Sequence, residues 1–409
     1  MNPSQRVVVT GIGAVSAFGW GVDALREGLE SGQSQIAEPE VFDTSNHRTR
    51  LAGEVPERTS PPPLPDSEWK RLSRSDQFAV GAAIEAAHQA QLKDADLPLG
   101  VFFGSSTAGM RECEEYVGRI LDSRPGAPRL GFLGSQQLNG PGDAVGRVLG
   151  ATGPVQSFSV ACASGPLAVT AASDALQQEE VAIAVAGGAD SLCHLTYGGF
   201  NALRSVDKRP SRPFREDRAG LSLGEGAGVL VLETLDRALE RGAQPLVELR
   251  GFGSTCDGHH MTAPHPEGKG ALAAMRLALA GAGLSPADVS FVNTHGTGTP
   301  HNDEAEASAC GDLFGDRLAQ VPMTATKASV GHILGAAGAL EAVASIVALT
   351  DGIVHPTPGG GEPDPDLGVD LVLGSPRRLG DRPVAISTSF AFGGANVALV
   401  LQRWSDSQA

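Results

Sequence analysis

Apolar positions along the chain alternate between short continuous runs and longer stretches at helical spacing. Arg6-Val-Val-Val-Thr-Gly11 and Pro245-Leu-Val-Glu-Leu-Arg-Gly251 read as strands with similar profiles. Val181-Ala-Ile-Ala-Val-Ala-Gly-Gly-Ala189 and Val384-Ala-Ile-Ser-Thr-Ser-Phe-Ala-Phe-Gly-Gly-Ala395 both open Val-Ala-Ile and close Gly-Gly-Ala, the second with three extra residues. Continuous apolar strands of this kind are buried on both faces, as in sheets covered by helices. Helical spacing over Gln77 to Leu92, Ala163 to Leu176, Gly270 to Ala282 and Gly335 to Leu349 supplies those helices, so the chain reads as an α/β unit occurring twice. The helical stretch Leu235 to Arg241 stops at a glycine, which puts the seam near Gly242 to Gln244 and the halves at 1–243 and 244–409. The Pro-rich Pro61 to Pro65 and the Pro- and Gly-rich Pro356 to Pro365 read as exposed loops.

Composition narrows the class. With 409 residues, 41% of them hydrophobic and 19% charged, the chain can bury a large core. No apolar run approaches the roughly 20 residues of a membrane span, and Met1 to Arg6 leads into a strand without an apolar leader. Cys113, Cys162, Cys193, Cys256 and Cys310 are scattered and odd in number, which suggests neither a disulfide framework nor a thiolate zinc site. A reducing, cytoplasmic setting is expected. The net charge of −16 argues against nucleic acid as a partner, since that needs a basic footprint.

Within Ser159-Val-Ala-Cys-Ala-Ser-Gly165, alternating residues end and an Ala-, Ser- and Leu-rich helical stretch begins, so Cys162 falls at a strand-to-helix turn. The positive end of a helix dipole there lowers a thiol pKa from its free value of about 8.5. Free cysteines are also among the most buried residues and often only fill space. Spacing alone leaves both readings open. Downstream, Thr294-His-Gly-Thr-Gly-Thr-Pro300 and Lys327-Ala-Ser-Val-Gly-His332 each hold a histidine, and Ser389-Phe-Ala-Phe-Gly-Gly-Ala-Asn396 closes the series.

These four segments, in this order and spacing from about Arg6 to Leu401, resemble the β-ketoacyl-acyl carrier protein synthases of the elongating, Cys-His-His, type II class. The resemblance implies a thiolase-like fold, a five-layered αβαβα sandwich of two duplicated halves with the site between them. It implies a decarboxylative Claisen condensation in fatty acid or polyketide biosynthesis. Cys162 matches the nucleophile, and its own N–H with that of Phe392 matches the oxyanion hole, in a turn with Phe390 and Gly393 that also gates the acyl pocket. His295 and His332 match the two histidines that stabilise the enolate. Lys327 and Glu341 match a buried charged pair, and Thr297 and Thr299 match pantetheine-binding hydroxyls. No cofactor and no metal are expected. His259, His260 and His265 lack an accompanying thiolate or carboxylate set.

The implied partners are an acyl carrier protein and a second subunit, either an identical copy or a chain-length-type subunit; no nucleic acid or membrane is expected. Because carrier proteins are themselves acidic, a local basic patch has to work against the charge of −16. Arg204, Lys208 and Arg209 are the first candidates, followed by Lys70, Arg71 and Arg74, with Lys269 a further one. Leu221, Ser222, Ala391 and Ala395 depart from frequent family residues, which bears on substrate choice and leaves fatty acid and polyketide pathways both open. The alternatives are a chain-length-type partner subunit, which usually lacks the cysteine, and a carrier-binding scaffold without turnover.

Overall fold

The apolar runs that echo one another in sequence occupy equivalent places in the sheet. The computed structural model describes residues 6–92, 98–122, 130–381 and 383–405. The first half contains β1 (Val7–Ser16), α1 (Arg74–Gln89), β2 (Leu99–Gly104), α2 (Gly140–Leu149), β3 (Val155–Phe158), α3 (Ser164–Gln177), β4 (Ile183–Asp190) and β5 (Gly226–Thr234). The second contains β6 (Val247–Cys256), α4 (Lys269–Ala282), β7 (Phe291–Asn293), α5 (Pro300–Phe314), β8 (Pro322–Thr324), α6 (Ala337–Asp351), β9 (Val384–Phe390) and β10 (Ala395–Arg403).

Strand order is β3-β2-β4-β5-β1 in the first half and β8-β7-β9-β10-β6 in the second. In both, two parallel pairings are followed by two antiparallel ones. Thus β1 corresponds to β6 and β4 to β9. The Gly-Gly-Ala part of the second echo does not carry over: Gly187 to Ala189 lie inside β4, whereas Gly393 and Gly394 form a turn beyond β9, with φ of 85° and 83°. The two halves are also joined edge to edge, since Val7, Val8 and Val9 pair antiparallel with Leu249, Glu248 and Val247.

Helices α1 and α2 cover the outer face of the first half, and α4 and α5 that of the second. Between the halves α3 packs against α6, giving the five layers. The apolar residues separate accordingly into a central core, which includes Val169, Leu176, Leu340 and Val343, and two outer cores around Phe78 and Met275. Helix α1 starts three residues before the apolar spacing suggested, because Ser73 and Asp76 form a reciprocal capping box. Gly11 and Gly13 let β1 approach it closely, since a Cβ on either would overlap the Ala86 or Ala82 carbonyl. The apolar stretch Leu334–Asp351, 18 residues long, is 89% buried as a core helix.

Candidate active site

Cys162 sits in the turn between β3 and α3, two residues before the helix starts. Ala161 there adopts φ 44°, a left-handed conformation costly for a residue with a Cβ. Side-chain hydrogen bonds hold the elbow. Ser164 Oγ accepts from the Val160 N–H at 2.8 Å and donates to the Ala161 carbonyl at 2.6 Å, and Ser106 Oγ donates to that carbonyl at 3.2 Å. Gly104, ending β2, makes room, because a Cβ on it would overlap the Ser164 and Gly165 backbone.

The Cys162 Sγ lies 3.0 Å from His332 Nε2. His332 Nδ1 accepts the Leu334 N–H at 3.1 Å, so the proton of the neutral ring resides on Nε2 and points at the sulfur. Burial, reinforced by the Lys327 ammonium, holds the His332 pKa well below the ordinary value, which keeps the ring neutral. His295 is held neutral by the same causes with a contribution from His332. Its Nδ1 lies 3.1 Å from Lys327 Nζ, a donor only, so its proton is also on Nε2. The two rings stand 5.5 Å apart, nearly perpendicular.

Lys327 also donates to Glu341, both side chains being 2% exposed. Burial pushes the Glu341 carboxyl up to about 7 while Lys327 draws it down. Burial likewise pushes the Cys162 thiol up to about 11, against the pull of Lys327. The expectation of a thiol lowered by its helix start is corrected: Cys162 lies outside the Ala163 cap and is buried, so desolvation pushes the thiol up.

A cavity of about 220 Å³ opens onto these groups and is lined by Cys162, His295, His332, Thr297, Thr299 and the Phe390–Phe392 turn, among others. The Thr297 and Thr299 hydroxyls face each other at 2.9 Å. Phe390 ends β9 with its ring 5.6 Å from His295, and Phe392 stacks on Phe200 at 5.7 Å. In the turn, the Ala391 N–H goes to the Ala395 carbonyl, that of Gly393 to Met261 and that of Gly394 to Ala391. The Phe392 N–H has no acceptor among the described residues.

Residues 4–238 match the N-terminal domain of the β-ketoacyl synthases, and residues 246–360 match their C-terminal domain. The chain belongs to the β-ketoacyl synthase family. Over 410 residues, 98% of each chain, it is 36% identical to 3-oxoacyl-[acyl-carrier-protein] synthase 2 of Synechocystis sp.. The ishigamide ketosynthase/chain length factor structure is similar with a TM-score of 0.90 at 33% identity, over 98% of this chain and 99% of that one. A type II polyketide acyl-carrier protein in complex with its ketosynthase, bound to the hexaketide, gives a TM-score of 0.88 at 29% identity, over 98% and 99% of the two chains.

Other polar residues hold this β-ketoacyl synthase site together without belonging to the four motifs. Glu306 accepts the N–H groups of His295 and Gly296 at 2.8 and 2.9 Å and the Thr388 hydroxyl at 2.7 Å. Asp303 accepts from the N–H groups of Phe214 and Gly298, and burial pushes its carboxyl up to about 7. The available signal was that both acids share the inward stripe of α5 with Cys310, at helical spacing. Asn396 is taken up by Asp257 and the Gly394 carbonyl. His260 and His265 accept backbone N–H groups within their own loop.

The basic candidates separate. Arg204 stands between the cavity-lining Leu203 and Ser205 and is exposed, as are Lys208 and Arg209, the last paired with Asp217 at 2.9 Å. Lys70 is exposed and paired with Asp66, Lys269 with Glu267, and Arg71 lines a different cavity beside Asp76 and Arg147. Arg74 is withdrawn as a docking residue: its guanidinium is bound to the fully buried Glu225 and to the Val55 carbonyl.

Proposed function

We propose that this chain condenses an acyl group held as a thioester on Cys162 with malonyl-acyl carrier protein, releasing CO2 and giving β-ketoacyl-acyl carrier protein. The observation that carries the reading is the Cys162 Sγ 3.0 Å from His332 Nε2 beside a second imidazole of the same tautomer. In the first half-reaction the thiol attacks the carrier-bound thioester, and its proton leaves with the phosphopantetheine thiol. The Nε2–H of His332 offsets the thiol's raised pKa by stabilising the developing thiolate. The N–H groups of Cys162 and Phe392 serve the tetrahedral oxyanion.

In the second half-reaction malonyl thioester loses CO2, and the Nε2–H groups of His295 and His332 stabilise the enolate oxygen. The enolate carbon attacks the acyl carbonyl, and the expelled Cys162 thiolate takes a proton from water. Thr297 and Thr299 bind the pantetheine arm, and the Phe390 to Gly393 turn gates the acyl pocket. Acyl groups arrive on phosphopantetheine, so no further cofactor takes part.

Arg204, Lys208 and Arg209 form the carrier docking patch beside the cavity. A second subunit covers the apolar side chains left exposed at Val117, Ile120, Leu121 and Val155, the last on the edge strand β3. Both a homodimer and a pairing with a chain-length-type subunit fit this face, and a cytoplasmic site fits the carrier partner. The test is incubation with acyl- and malonyl-carrier protein, followed by mass spectrometry of the carrier. A β-ketoacyl adduct with matching CO2 release is expected; carrier binding without CO2 release would overturn the reading in favour of a scaffold.

A further inference from the structure

Asp190, the last residue of β4, is completely buried and takes no part in the chemistry proposed above. Its two oxygens serve different segments. Oδ1 accepts the Ser105 hydroxyl at 2.7 Å, the Thr107 N–H at 2.8 Å and hydroxyl at 3.0 Å, and the Ala108 N–H at 3.2 Å. Oδ2 accepts the Gly335 N–H at 2.7 Å, and the Ser106 N–H lies 3.0 Å from both oxygens. The segment held by Oδ1 includes Ser106, whose hydroxyl props the Ala161 carbonyl of the cysteine elbow. Gly335 follows His332 by three residues, and the intervening Leu334 donates the N–H that fixes the His332 tautomer.

We infer that Asp190 is a positioning residue that sets His332 against Cys162, one carboxylate oxygen gripping the cysteine side and the other the histidine side. The inference rests on the condensation reading for its functional consequence, while the geometry stands on its own. A carboxylate suits the post because it only accepts, and each of these neighbours of its two oxygens is a donor. Gly335 suits the other side of the junction. A Cβ there would come 2.9 Å from Asp190 Oδ2 and 2.8 Å from Ser106 Oγ.

Two substitutions open this junction from opposite sides. Asp190→Asn keeps a carbonyl for the donors at Oδ1 and turns an NH2 against the Gly335 N–H, which repels it. Gly335→Ala inserts a methyl group at the same contact. For each, malonyl decarboxylation is expected to fall at least about tenfold, and acyl transfer to Cys162 to fall as well, because the displaced His332 Nε2–H also serves the developing thiolate. The independent readout is the 15N spectrum of labelled histidine, in which the His332 nitrogens shift and those of His295 stay. This second measurement needs no substrate, so it separates the positioning role from the proposed reaction. Unchanged His332 signals in both variants, or unchanged malonyl decarboxylation, would overturn the inference.

Discussion

Lys327 donates to Nδ1 of His295 across 3.1 Å, so one imidazole has its tautomer set by an ammonium, whereas its neighbour His332 is set by a backbone N–H. The ammonium is in turn held by buried Glu341. Replacing Lys327 by Ala strands a buried carboxylate and costs about 3–5 kcal/mol, whereas removing both partners costs less. Urea unfolding of Lys327→Ala and of the Lys327→Ala/Glu341→Ala double variant checks this. A double variant no more stable than the single one would deny the pair its mutual dependence.

Cys162→Ala is expected to abolish the acyl adduct. The other buried thiols, Cys193 and Cys310, do not line the cavity, and exposed Cys256 lies outside it. Intact-protein mass spectrometry with an acyl-carrier donor is the check; an adduct that persists, or maps to Cys113 or Cys193, would reassign the nucleophile.

His295→Ala and His332→Ala are expected to keep measurable acylation of Cys162 and to lose decarboxylation by about 100-fold or more, since one enolate donor is gone while the thiol remains. CO2 release from malonyl-carrier protein reads the difference. Normal release by both would make the histidines structural.

Burial depresses three histidines, His295 and His332 well below 6.5 and His355 to about 4. In the unfolded chain each takes a proton near pH 6.5, so the contribution of these three histidines to stability is full above that pH and is lost as pH falls below it, while Asp303 and Glu341, raised to about 7, act in the opposite sense. For His355 the loss runs from pH 6.5 to about 4 and amounts to about 3 kcal/mol at the lower end. Urea midpoints at pH 7 and pH 5 test it: His355→Asn should flatten the pH dependence, and an unchanged slope would reject the assignment. Enolate stabilisation itself should show no histidine titration between pH 6 and 8.

Reversing Arg204, Lys208 and Arg209 to Glu is expected to slow carrier-dependent acylation mainly through association, with the effect shrinking as salt rises. A small thioester without a carrier should react as before. Because Arg209 is already paired with Asp217, Arg204 and Lys208 should account for most of the change. Full activity with the carrier at low salt would move the patch elsewhere, toward Lys70 and Arg71.

Much of this was legible in the chain because duplication and motif order leave linear traces. The Val-Ala-Ile echo found β4 and β9, and the cysteine and histidine segments found the groups that line the cavity. The thiol's environment was not legible. Its position relative to a helix can be read from spacing, but its enclosure depends on residues such as His332, 170 positions away. Asp190, Asp303 and Glu306 escaped for a related reason. A buried carboxylate is defined by the donors that surround it; the inward stripe of α5 marks Asp303 and Glu306 but does not record the distant backbone N–H groups and the Thr388 hydroxyl that meet them.

Among the described residues, three pairs between β1 and β6 join the two halves of the sheet edge to edge, and the groups proposed to react are divided across that seam. Cys162 belongs to one half, while His295, His332 and Phe392 belong to the other. On the proposed mechanism neither half would turn over alone. Fragments made by cutting between α3's half and β6, near Gly242, would each carry one half of the sheet and part of the proposed reaction centre, so recovered condensation on mixing would report directly on their reassembly.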